Sequence, residues 1–290
     1  MNQYESELMA ELLLSAGYQK AEDFRSCDIC IVNTGTVTAT GDAKNRKYVH
    51  RVRRENPDCI IILCGCMPQA FSEETDLFEG CDIVMGNTSR REIVPVLDEY
   101  LLTRQPIIRI TPHQKDEAFE PMQISAFNER TRACIKIQDG CNRFCTYCII
   151  PKGRGPFRSI PMEEIIEQAK NLASLGVKEL VLIAQETTLY GIDLYGRKCL
   201  HELLEKLCDI NDIFWIRVLY CYPEELYDEL IDVMAHEEKI CNYIDIPIQH
   251  CSNNILKKMG RKTSKEDIIT IVNKLREKIP EIAIRTTIIT

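Results

Sequence analysis

Near the start of the chain, apolar residues recur at helical spacing. Leu8, Met9, Leu12 and Leu13 fall on one face of a helix expected from Glu5 to Ala16, and Gly17 stops it. The pattern then turns into short apolar runs separated by polar stretches. Cys27 to Asn33 reads as a buried strand closed by Thr34-Gly35-Thr36, Cys59 to Leu63 as a second ending at Gly65, and Asp82 to Gly86 as a third. A basic helix is expected between the first two, from Gly41 to Glu55. Strands spaced by helices in this way predict a parallel sheet covered by helices, with ligands at the edge where the strands end. From Thr111 to Phe127 no period survives, and Pro112 and Pro121 interrupt the text. The expected division is therefore a domain over 1–110, a linker over 111–128 and a second domain over 129–290.

The second domain repeats the strand–helix alternation. Strands are expected at Ala133–Gln138, Glu179–Ala184, Trp215–Tyr220, Tyr243–Ile246 and Ile282–Ile289. Helices are expected at Glu163–Leu175, Leu200–Leu207, Glu224–Ala235 and Lys265–Lys278. Such a series half-closes into a barrel, with working residues on the loops after the strands. The chain stops inside or just after a strand at Thr290, so it is expected to be truncated.

Composition narrows the function. An apolar content of 45% suits a sizeable core, and a net charge of −8 argues against a surface built as a whole for nucleic acid. No apolar run reaches the roughly 18 residues that cross a bilayer. The polar, acidic start Met1-Asn2-Gln3-Tyr4-Glu5 does not read as a signal peptide, so a cytoplasmic protein without a membrane partner is expected. Fifteen cysteines in such a chain point to metal or thiol chemistry in a reducing compartment.

Three of those cysteines stand in one run, Asp139-Gly140-Cys141-Asn142-Arg143-Phe144-Cys145-Thr146-Tyr147-Cys148. The spacing C-x3-C-x2-C directly after a strand suits one corner of an iron–sulfur cube, because iron in such clusters takes soft thiolate sulfur. Three protein ligands leave one of four irons open to a small molecule. A zinc knuckle completed by Cys134 or a distant cysteine is the plainer alternative.

The motif, with Tyr147 just before the third cysteine, resembles the radical S-adenosylmethionine superfamily. The flanking text, Lys136 to Cys141, Cys148-Ile149-Ile150-Pro151, Arg154-Gly155 and Arg158-Ser159, is similar to its methylthiotransferase family. That resemblance implies an N-terminal methylthiotransferase domain followed by a partial radical S-adenosylmethionine barrel. It implies a [4Fe–4S] cluster on Cys141, Cys145 and Cys148, S-adenosylmethionine on the open iron, and insertion of a methylthio group into a C–H bond. Leu182 to Thr188, Tyr190 to Gly196, Leu219 to Pro223 and Asp245 to His250 resemble the branch that modifies an aspartate of a small-subunit ribosomal protein. Asn2 to Ser6, Val32 to Thr38 and Asn56-Pro57-Asp58 look more like the branch that modifies threonylcarbamoyladenosine beside the tRNA anticodon. The barrel half surrounds the reacting atoms and weighs more. An electron donor such as flavodoxin or ferredoxin is implied, and a C-terminal β-domain would follow Thr290.

By the same resemblance Tyr147 lies near the adenine, its plainer role being a core aromatic. Gln185 and Gln249, with His250, stand at strand ends as candidates for cofactor contact or as loop anchors. Arg217, on a buried strand, is expected in a structural ion pair. The family also carries a second cluster on three N-terminal cysteines. Only Cys66 matches; the family's first ligand would fall before Met1, and position 35 is glycine, which has no ligand atom. Cys64 could share a face with Cys66, while Cys27, Cys30 and Cys59 read as buried small hydrophobes. Lys44, Arg46, Lys47, Arg51, Arg53 and Arg54 on the basic helix are candidates for RNA phosphate contacts, a solvated face being the alternative.

Overall fold

The computed structural model describes residues 2–36, 38–114 and 131–289. The chain divides into two compact units, Asn2–Glu117 with Ile149–Pro156, and Ala118–Cys148 with Phe157–Thr290. Most of the expected linker over 111–128 lies outside the described residues.

In the N-terminal unit, α1 (Asn2–Ser15), β1 (Ile29–Thr34), α2 (Ala39–Glu55), β2 (Ile60–Gly65), α3 (Cys66–Ala70), β3 (Ile83–Met85), α4 (Ile93–Thr103) and β4 (Ile107–Arg109) alternate along the chain. The later helix α5 (Ile150–Arg154) joins them. The four strands form one parallel sheet in chain order, with Ile29 opposite Ile60 and Ile62 opposite Ile83. Both faces are apolar. Met9, Leu13, Ile62, Cys64 and Leu97 pack on one side and Val32, Val52, Ile61, Leu63 and Phe78 on the other. That is why β2 is buried at every position instead of alternating.

In the C-terminal unit, β5 (Arg132–Lys136), the short antiparallel pair β6 (Gln138–Asp139) and β7 (Arg158–Ser159), α6 (Met162–Ser174), β8 (Glu179–Ile183), α7 (Ile192–Tyr195), α8 (Leu200–Cys208), β9 (Trp215–Val218), α9 (Asp228–His236), β10 (Ile240–Asp245), α10 (Asn253–Lys258), α11 (Lys265–Lys278) and β11 (Ala283–Arg285) follow. Strands β5, β8, β9, β10 and β11 lie side by side in that order, all parallel. Ala133, Ile135, Leu180, Leu182, Ile216, Val218 and Ile244 send their side chains into a core closed by Ile165, Leu172, Leu203, Leu204, Leu230 and Leu275 of the helices. Each fully buried Val, Leu or Ile side chain among them contributes about 1.5–3 kcal/mol. The alternate positions carry Lys136, Arg217, Tyr243 and Asp245 on the opposite face. Arg217 binds Glu179 at 2.9 Å and stacks 4.8 Å from the Tyr243 ring, a structural ion pair.

Candidate metal centre

The three cysteines occupy the loop that follows β5 and β6, at the edge where the parallel strands end. Gly140 (φ 73°) and Phe144 (φ 51°) bend this loop through left-handed backbone, and Phe144 is left 70% exposed. Cys141 and Cys145 are buried and Cys148 is half-buried. Burial pushes the Cys141 thiol up to about 11; a backbone hydrogen bond from Arg143 pulls it down, while Glu186, Cys148 and Cys145 push it up again. Among the described residues no three His, Cys, Asp or Glu side chains form a preset metal cage. The loop supplies donors, and a metal must displace the proton from each.

Fully buried Gln138 fixes the loop's root. Its amide nitrogen donates to the carbonyls of Asp139 and Gly140, and its oxygen accepts from the backbone N–H groups of Gln185 and Glu186 at 3.0 and 3.1 Å. The loop's far side is tied by Thr146, whose N–H donates to Met259 O at 3.1 Å and whose hydroxyl donates to Lys258 O at 3.0 Å.

Arg143, between the first two cysteines, forms a bidentate pair with Glu186 through Nε (2.9 Å) and Nη2, and Nη2 also reaches Glu225. Burial raises the Glu186 carboxyl, and Arg143 offsets only part of that; the Arg143 guanidinium stays charged, held so by Glu186 and Glu225 against its burial. Burial would also lift Glu225, but Lys198 at 2.8 Å and Arg143 outweigh it and hold this carboxyl below its usual range. Arg143 stacks 5.0 Å from the Tyr222 ring, and Arg261 lies 4.2 Å from the same ring. A cavity of about 360 Å³ opens beside this cluster, bordered by Asn142, Arg143, Glu186, Lys198 and Glu225.

Arg261 is the residue that best tests a fit to a cluster. Its side chain is 1% exposed. Nη2 donates to Pro247 O, but Nε and Nη1 have no hydrogen-bond partner among the described residues. Burial opposes its charge, yet Glu224, Tyr222, Tyr147 and Cys145 keep it protonated. Glu224 Oε2 stands 3.9 Å from Nη2, and the two open donors beside Cys145 leave room for a second anionic neighbour. A thiolate-bound iron–sulfur cluster is one, so donor set and surroundings fit.

Tyr147 is half exposed, and burial of its remainder raises its hydroxyl to about 12. Gln185 and Gln249 are half-buried, and their side chains make no hydrogen bond among the described residues. Gln249 takes φ 67° and is stitched by its backbone to Thr287 and Ile289. The His250 ring accepts from Ser252 N–H at 2.9 Å, a loop-anchoring contact. Cys134 lies on β5, on the face away from the apolar core.

The N-terminal thiols do not fit a three-cysteine cluster. Position 35 is glycine. Gly65, at φ 107°, ends β2 between Cys64 and Cys66, so strand alternation does not set the direction of Cys66. Cys64 turns into the core against Met9 at 3.7 Å, and burial pushes its thiol up to about 12. Cys66 opens α3, where Arg154 Nε donates to its sulfur at 3.0 Å and Asn87 at 3.6 Å. Arg154 in turn pairs with the fully buried Glu5. Cys27 and Cys59 lie 3.7 Å apart, and Cys30 packs in the apolar core.

On α2, Arg53 is committed inward to Asp82 and the carbonyls of Pro57, Cys59 and Gly80, while Arg51 and Arg54 meet Glu55. Reversing Arg53 would therefore disturb the fold, which removes it as a clean probe of RNA binding.

Arg143, Tyr222 and Arg261 were not singled out by sequence reasoning. The one available signal was an arginine inside the cysteine run itself.

Residues 135–290 match the radical SAM superfamily, and residues 1–86 match uncharacterized protein family UPF0004. The chain belongs to the radical SAM superfamily, which implies a [4Fe–4S] cluster and S-adenosylmethionine. Within it, the chain is 42% identical over 313 residues to the ribosomal protein uS12 methylthiotransferase RimO of Lachnoclostridium phytofermentans, covering 100% of this chain and 66% of that protein. It is 38% identical over 289 residues to the threonylcarbamoyladenosine tRNA methylthiotransferase MtaB of Bacillus subtilis, covering 100% of this chain and 64% of that protein. The chain spans about two thirds of the length of these curated relatives. The radical S-adenosylmethionine methyltransferase TsrM of Kitasatospora setae shares the fold, with a TM-score of 0.65 at 16% identity over 99% of this chain and 64% of that one. No helix among the described residues is long and apolar enough to cross a membrane.

Proposed function

We propose that the chain is a radical S-adenosylmethionine methylthiotransferase acting on an aspartate of a small-subunit ribosomal protein, in the cytoplasm, with a flavodoxin or ferredoxin as electron donor. The observation that carries this reading is the Cys141–Cys148 loop at the sheet edge beside the open donors of buried Arg261. Cys141, Cys145 and Cys148 would hold the [4Fe–4S] cluster, and Tyr147, Gln185 and Gln249 would contact S-adenosylmethionine. When bound, cluster and cofactor together supply reductive carbon–sulfur cleavage and the radical it yields. The chain's own residues position and shield them: Gln138 sets the loop root, Arg143 locks the loop to the segment after β8 through Glu186, and Arg261 offsets thiolate charge. The proposed division is 1–110, 111–128 and 129–290. No step is assigned to a second cluster at Cys66, because the thiols present do not fit one.

Methylthiolation of tRNA threonylcarbamoyladenosine is the second reading. It is favoured by the N-terminal text from Asn2 to Ser6 and by the likeness to MtaB. Anaerobic iron–sulfur reconstitution followed by assay for 5′-deoxyadenosine tests the enzymatic class. A colourless protein with stoichiometric zinc would instead mark a non-catalytic metal-binding chain. Offering uS12 and tRNA side by side separates the branches by which one gains a methylthio group.

A further inference from the structure

We propose that exposed Phe144 and the lysines of the neighbouring turn form the docking face for an acidic one-electron carrier protein. The inference rests on the reading that Cys141, Cys145 and Cys148 hold a cluster. Phe144 precedes buried Cys145, and its ring stands 70% exposed on left-handed backbone. The turn that carries the lysines lies directly against this loop. Thr146 is bonded to Met259 O and Lys258 O, and a Cβ built on Gly260 would stand 3.8 Å from Cys145 Cα and from Phe144 O.

From Asn253 to Lys265 the chain carries Lys257, Lys258, Arg261, Lys262 and Lys265 and no Asp or Glu. Arg261 is turned inward to Tyr222. Lys257, Lys258 and Lys262 are exposed and make no ion pair among the described residues. The chain as a whole carries −8, so an acidic partner is repelled by most of its surface and drawn to this patch. Electron-transfer complexes are small, transient and steered by charge, typically burying less than about 1,200 Å². One exposed aromatic ring beside a turn that carries three exposed lysines suits that scale. A folded RNA would engage a longer track of cations and several stacking rings. In the transfer the carrier loses one electron and is oxidised, and the site held by the three cysteines gains it. No bond forms or breaks and no proton moves.

The test is Lys257→Glu/Lys258→Glu in the whole chain, with Phe144→Ser as an independent second variant. Affinity for purified flavodoxin is read at low and moderate salt, together with iron content and 5′-deoxyadenosine formed with either flavodoxin or dithionite as reductant. The double variant should bind flavodoxin about tenfold or more weakly, with a flatter salt dependence. Its iron content and dithionite-driven yield should stay at the wild-type level. Unchanged flavodoxin affinity in both variants overturns the proposal, as does a loss confined to a tRNA stem-loop probe. If wild-type protein yields no 5′-deoxyadenosine even with dithionite, the enzymatic reading fails separately, and the binding comparison still decides the docking face.

Discussion

Replacing Arg143 by methionine should expose how much the cysteine loop depends on one buried ion pair. The side chains of Arg143 and Glu186 are 11% and 1% exposed, and the guanidinium grips both carboxylate oxygens. Removing one partner of such a pair costs about 3–5 kcal/mol, because the other charge is left buried and alone. Glu225 suffers less, since Lys198 still holds it at 2.8 Å. Glu186 has one escape, which is to bind a proton. Burial already raises its pKa, and without Arg143 nothing offsets that rise. Between its unfolded and folded pKa values the native state of the variant then binds more protons than the unfolded state. Stability therefore falls as pH rises, and the deficit should be larger at pH 8 than at pH 5. The single tryptophan, Trp215, lies on β9 of the same unit, so its fluorescence in a urea titration reports this unit. Arg143→Met/Glu186→Met should recover most of the loss. A deficit below about 1 kcal/mol, no dependence on pH, or a double variant as unstable as the single would each refute the reasoning.

Gln138→Leu should leave the N–H groups of Gln185 and Glu186 without an acceptor, at about 1–3 kcal/mol each. Hydrogen exchange at those two amides should quicken, and unchanged exchange would count against the anchoring role. Gly65→Ala should destabilise more than Gly176→Ala. Both glycines have positive φ, but a Cβ at position 65 would meet Thr34 O at 2.4 Å, whereas position 176 opens on empty space. Comparing the two melting temperatures decides it. Asp267 caps α11 through Ser264, and those bonds hold its carboxyl below the ordinary aspartate value of 3.8. The stabilisation is therefore complete above 3.8 and is lost as pH falls through the lower, folded value. Fraying of α11 by NMR should begin only below that range, and Asp267→Asn should abolish the pH dependence.

Where local chemistry decides structure, the sequence was readable to the residue. Helix α11 runs from Lys265 to Lys278 as its pattern predicts, because Ser264 and Asp267 form a reciprocal cap. The helix expected from Glu224 begins instead at Asp228, after a 3-10 turn at Pro223–Glu225. Proline fixes the first dihedral there, and no period shows where the turn gives way to the helix. Strand β10 starts at Ile240, three residues before Tyr243, because Ile240 pairs with Ile216 of β9 ahead of a break in register that spans Cys241 and Asn242. Helices α3, α4, α5, α7 and α10 have no counterpart in the pattern, four of them being too short to display a period. The cysteine run was legible because its ligands are neighbours in sequence. The Arg143 cluster was not, since its carboxylates lie 43 and 82 residues away and only the fold assembles them.

Tyr222 lies within stacking reach of both Arg143 and Arg261, with Glu186, Glu224 and Glu225 completing the group. A scan that swaps these positions one by one would score the charged ones as costly, because removing Arg143 or Glu186 strands the charge of the other, while changing Tyr222 removes the ring both arginines stack on. Engineers and natural drift alike must exchange them as a block, so the six positions should be inherited together as one unit of variation.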